Sequence, residues 1–204
     1  MSVLQAESIS DIIERAFAWA EHRKRFESLE DGSNDARQAR IMYDARRRNV
    51  LESMDWNFAR HRFAPGGSLP DTPYPPGMPN AFSVPPSCLR VRDVVQEGCE
   101  KLTWRREACI FTNGDAPQVI YTIDETRAGI FTPSFTLALE YLLAAQFAMV
   151  YARSVNRSDR MLQNYQDAMR EADRLEGQEQ SNDAAYARGP LELALGNLDF
   201  GNVV

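Results

Sequence analysis

The chain has 204 residues, 44% hydrophobic and 25% charged. That is enough for one domain with a real core, and it excludes disorder throughout. Twenty-nine acidic against 23 basic residues leave a formal charge of −6, which excludes a protein that grips nucleic acid over its whole surface. Lysine occurs only at Lys24 and Lys101, so every other basic residue is an arginine, suited to fixed planar ion pairs.

Ile9, Ile12, Ile13, Ala16, Phe17 and Ala20 share one face at helical spacing, which predicts a helix over 6–26. Asp31-Gly32-Ser33-Asn34 breaks it, and Ser33 or Asn34 can cap a second helix over 35–56. Ala36, Ala39, Met42 or Tyr43, Val50 and Met54 form its apolar side, with Arg46, Arg47 and Arg48 on the remaining surface. Eight prolines between Ala64 and Pro86 forbid helix or central strand and predict a connector. Phe82 and Val84 suggest a short edge strand. Leu89, Val91, Val94 and Val95 suggest another, and the alternations at Leu102/Trp104 and Cys109/Phe111 two more. Asn113-Gly114 reads as a hairpin turn into Val119, Tyr121 and Ile123.

The helical period returns at Thr132-Pro133, a cap followed by proline at the first position. The helix over 133–154 is apolar nearly all round, as the central helix of a bundle should be. A last helix over 159–176, with Ser158 as cap, carries the stripe Met161, Leu162, Tyr165, Ala168, Met169, Ala172 and Leu175. Residues 178–189 are polar. Leu191, Leu193 and Leu195 then alternate with Glu192 and Ala194, followed by Leu198 and Phe200, a strand-like period suited to an extended tail. The expected fold is therefore α+β, mainly α: about four helices (6–56 and 133–176), a small antiparallel sheet with its proline-rich insertion (60–125) between helices two and three, and an extended tail. The main domain covers 1–180, and the tail 181–204.

No enzyme chemistry emerges. His22 and His61 have no spaced metal partner, and neither lysine follows a Gly-rich loop. Gly66-Gly67-Ser68 lacks the setting of a nucleophile elbow. Paired carboxylates such as Glu171 and Asp173 read as a solvated helix face. Cys88, Cys99 and Cys109 have no CxxC spacing and read as free thiols. Residues 1–10 lack the basic and apolar regions of a secretory signal, so Asn156-Arg157-Ser158 carries little weight as a glycosylation sequon. Phe135–Tyr151 is short for a bilayer span and contains Glu140, so a core helix is expected rather than a membrane one. No catalytic, cofactor or metal residue is expected.

Four blocks in order carry a resemblance: Asp55-Trp56-Asn57-Phe58-Ala59-Arg60, Phe82-Ser83-Val84-Pro85-Pro86-Ser87-Cys88-Leu89-Arg90-Val91, Tyr121-Thr122-Ile123-Asp124, and Phe131-Thr132-Pro133-Ser134-Phe135 leading into an alanine- and leucine-rich helix. Their order and spacing, over about residues 6–176, resemble the tail tubular protein A family, the head-to-tail adaptors or gatekeepers of short-tailed bacteriophages. The resemblance implies a virion protein: a ring of about twelve copies beneath the portal, with the tail nozzle on the other side and genome DNA passing through unbound. It implies no catalytic residue.

On this reading an acidic or neutral wall lets the duplex slide, and Asp167, Glu171, Asp173, Glu176 and Glu179 are the candidate channel-lining residues. Leu191, Leu193, Leu195, Leu198 and Phe200 are candidates for docking on a neighbour, the portal or their own subunit. Arg46, Arg47 and Arg48 form either a solvated face or a contact with acidic groups of a neighbour. Trp56 and Phe58 read as core anchors, and Pro85-Pro86 as setting the path into a strand. The rival readings are a monomeric helical interaction module of a cellular pathway, and a small enzyme without a recognisable motif.

Overall fold

The computed structural model describes residues 8–21, 26, 28–30, 32–69, 74–98 and 102–187, with side chains through 179. Among the described residues, four helices, α1 (Ile9–Trp19), α2 (Asn34–Ser53), α3 (Pro133–Val150) and α4 (Val155–Ala187), frame six short strands set between α2 and α3. The architecture is α+β and mainly α, as the periodicities predict.

Local chemistry explains the helix limits. α1 starts at Ile9 rather than 6 because Ser8 and Asp11 form a capping box: Asp11 N–H donates to Ser8 Oγ (3.2 Å) and Ser8 N–H to Asp11 Oδ2 (3.0 Å). It stops at Trp19, and Glu21 follows in the left-handed region (φ 50°). Ser33 caps α2, its Oγ accepting from Ala36 N–H at 3.1 Å, and Thr132 caps α3 with Pro133 behind it. A left-handed residue, Arg153 (φ 51°), reverses the chain between α3 and α4. α4 departs most from expectation. It begins at Val155, so Ser158 is a buried helical residue, not a cap. It also runs through Gly177 to Ala187, so 181–187 are helical rather than extended tail. Residues 188–204 lie outside the described residues.

α3 is the hub. α1, α2 and α4 all pack on it, and Phe135, Leu139, Leu143 and Phe147 are completely buried. By length and composition α3 could cross a membrane, yet here it is the packed core helix. Its one acidic residue, Glu140, is buried and accepts from Arg15 Nε and from Trp19 Nε1 (3.2 Å), both on α1. Leu162 and Leu175, assigned by sequence to the buried stripe of α4, flank it instead and are exposed.

The strands form two antiparallel sheets rather than one. β1 (Arg60–Phe63), β6 (Gln118–Ile123) and β3 (Cys88–Val95) make the first, with β6 central. β2 (Asn80–Phe82), β5 (Ile110–Thr112) and β4 (Trp104–Arg106) make the second, with β5 central. Asn113-Gly114 is consequently no hairpin turn, because β5 and β6, on either side of it, belong to different sheets. Asn113 instead extends the β4–β5 ladder: its Oδ1 accepts from Thr103 N–H (2.8 Å) and its N–H donates to the Thr103 carbonyl (3.3 Å). Ile110 packs with Val91, Val94, Val119 and Tyr121, joining the sheets through one apolar cluster.

Candidate assembly surfaces

Apart from Phe82, which pairs with Ile110 in the second sheet, the four blocks that carry the resemblance meet between the helices and the first sheet. Trp56 is completely buried, its indole N–H donating to the Val50 carbonyl (2.8 Å). Its ring meets Phe135 edge-on at 5.1 Å, while Phe58 contacts Phe131 (5.7 Å) and Phe135 (5.1 Å). Trp56 and Phe58 are therefore core anchors, joining the first block to the last. β1 pairs Arg60 with Thr122, and β3 pairs Cys88 with Ile123, which joins the first and second blocks to the third through β6.

Arginines lock this junction. β3 carries a bulge at Arg92, where the ladder skips between Val91 and Asp93. The Arg92 guanidinium donates to Thr122 Oγ1 (2.7 Å) and to the carbonyls of Leu51 (2.9 Å), Glu52 (3.2 Å) and Met54. These carbonyls lie at the C-terminal end of α2, that of Glu52 also accepting from Arg90 (2.9 Å), so Arg92 caps the helix from another element. Burial lowers the Arg92 pKa, and neighbouring Asp55 opposes that shift. Glu125, also buried, is held at a pKa of about 2, chiefly by hydrogen bonds from the Arg127 guanidinium (2.8 and 2.9 Å).

The structure reassigns several candidate residues. Arg47 is only 1% exposed and cannot meet a neighbour; it donates to Asp124 Oδ1 (2.6 Å) and to the Glu125 carbonyl. Arg48, 56% exposed, reaches the other oxygen of Asp124 (2.9 Å). Arg46 donates to Gln146 Oε1 on α3 (2.6 Å). The arginine run is thus an intramolecular clamp on α3 and Asp124, with Arg48 alone of Arg47 and Arg48 still open to solvent.

Among the acidic candidates, Glu176 is buried rather than available to line a channel. Its carboxylate accepts from Asn57 N–H (2.9 Å), Glu179 accepts from Asn57 Nδ2 (3.0 Å), and burial raises the Glu176 pKa. The two acids fasten the far half of α4 to the first block. Asp167 and Glu171 are exposed, but each accepts from an arginine three residues on, Arg170 and Arg174. With Asp173 also exposed, this face alternates in sign rather than being uniformly acidic. Leu191, Leu193, Leu195, Leu198 and Phe200 lie outside the described residues.

Two apolar surfaces escaped the sequence reading. A groove of about 300 Å³ between α2, α3 and α4 is walled by Leu142, Met149 and Leu162, with Ala145 also lining it and Arg46, Gln146 and Ser158 as its polar residues. Met149 is 48% and Leu162 38% exposed. On another side, Trp19 (42% exposed) touches Tyr141 beside exposed Leu137. The available signal was the all-round apolarity of α3: three packing helices cannot cover every side of a fourth, so strips remain open.

Among the described residues no three His, Cys, Asp or Glu side chains group as a metal site, and Cys88 and Cys109 are free thiols. No protein-family model matches the chain, and no curated protein does.

Proposed function

We propose that the chain is a structural subunit of a bacteriophage head-to-tail adaptor, assembling as a ring of about twelve copies between portal and tail nozzle. Genome DNA passes through the ring without specific binding, and the protein acts in the virion as a conduit, not as a catalyst. The observation that carries this reading is the convergence of the four resemblance blocks. Chosen for their order along the sequence, they form one junction of aromatic packing, strand pairing and arginine clamps. The open apolar strips at Trp19 and at Leu142, Met149 and Leu162 add support, because ring subunits need contact surfaces on more than one side.

The same strips keep a second reading in play, a monomeric helical module that docks one partner. Mass photometry and electron microscopy of the purified chain, alone and with portal-bearing heads, separate the two. Rings, formed free or on the portal, are expected. A chain that stays monomeric and unattached in the presence of portal overturns the adaptor reading.

A further inference from the structure

We infer that the groove between α2, α3 and α4 seats the apolar stretch Leu191–Leu195 of a second copy of this chain. The inference rests on the ring reading insofar as that reading sets copies side by side. The groove's shape and chemistry suit such a guest: Leu142, Met149 and Leu162 form apolar walls, the small Ala145 leaves room between them, and Arg46 lies among the lining residues. The guest alternates Leu191, Leu193 and Leu195 with Glu192 and Ala194. Its leucines match the apolar walls, and Glu192 matches the charge of Arg46.

Chain length identifies the donor. From Leu162 to Ala187 the 25 residues of α4 rise about 37 Å away from the groove. Fully extended backbone from Ala187 carries Leu191 at most about 14 Å and Leu195 about 29 Å. Leu191 and Leu193 cannot return to the groove of their own subunit while α4 stays helical, and Leu195 at full stretch still ends about 8 Å short of Leu162, so the stretch as a whole cannot seat there. A neighbouring copy removes that limit, and repetition around a ring makes many weak seats act together.

The test uses the full-length chain carrying a photo-crosslinking amino acid at position 193, prepared with and without heavy isotopes and mixed. Mass spectrometry should find crosslinks from 193 to α3 and α4 between Leu142 and Leu162, joining heavy to light chains. Leu162→Arg in the acceptor should cut that yield roughly tenfold, with the melting temperature unchanged because Leu162 is partly exposed. Links within one chain, links to the portal or another surface, or no heavy–light links at the highest soluble concentration overturn the inference. Rings seen by microscopy with crosslinks elsewhere would sink this inference alone. Groove crosslinks in a species that never forms rings on the portal would sink the adaptor reading alone.

Discussion

Leu142 and Leu143 are adjacent on α3 but face different surroundings, so truncating each in turn isolates the value of burial. Leu143 is completely buried in the helical core. Leu143→Ala removes three carbons' worth of apolar contact, about 2.4 kcal/mol at about 0.8 per methylene. The enclosed site cannot collapse fully, and the residual cavity adds about 1 kcal/mol. A loss of about 3–4 kcal/mol follows, a large part of the roughly 5–15 kcal/mol that stabilises a typical domain. Leu142 is half-buried on the groove wall, where solvent fills the space left behind. Leu142→Ala should therefore cost about 1 kcal/mol. The helix-propensity change is identical in the two variants and cancels. Urea unfolding followed by circular dichroism measures both, with unchanged slopes as the check that one transition is being compared. Equal losses would refute the assignment of Leu142 to an open wall. They would also mean that a difference of one position on α3 does not separate core from surface.

Two further predictions concern the junction. Arg92→Met should cost about 2–4 kcal/mol, because the carbonyls of Leu51 and Met54 at the end of α2 lose their donor while that of Glu52 keeps only Arg90. Amide exchange should quicken in the last turn of α2, and a loss below about 1 kcal/mol with no fraying would contradict the cross-element cap. Glu125 ionises in the folded chain at about 2, below its ordinary value of 4.5, so its contribution is complete above pH 4.5 and is lost as pH falls through 2. Glu125→Gln should therefore lower the urea midpoint at neutral pH, with the gap closing below pH 4.5; a gap independent of pH would rule out the ion pair with Arg127 as its source.

What could be read in advance was what local chemistry controls. Ser33 and Thr132-Pro133 announced the starts of α2 and α3 because a cap needs only the next turn of helix. The all-round apolarity of residues 135–150 announced a central helix. Readings failed where a distant partner decided the outcome. Asn113-Gly114 has the strongest turn signal in the chain, yet Thr103 claims its backbone and side chain, and β6 pairs with β1 and β3 instead. Ser158 has a good capping side chain, but the chain reverses earlier, at Arg153, and helix begins at Val155. Arg47 and Glu176 looked like surface charges because nothing local reveals Asp124 or Asn57 as their partners. The groove was hidden for a related reason: periodicity reports that Met149 and Leu162 are apolar, not that neighbouring helices leave them uncovered.

Because α3 is the hub on which α1 and α2 pack, the order of synthesis matters. The ribosome releases α1 and α2 first, but the helix that covers them begins only at Pro133. At about 5–20 residues per second, the 80 residues from Ser53 to Pro133 take on the order of 4–16 seconds. Throughout it Ile12, Ile13, Phe17, Val50 and Leu51, all buried in the finished protein, have no α3 to rest on. The strands offer no earlier refuge, since the centre of the first sheet, β6, ends at Ile123. The helical core therefore cannot close before the final third of the chain emerges, so α3 is the element that completes folding during synthesis.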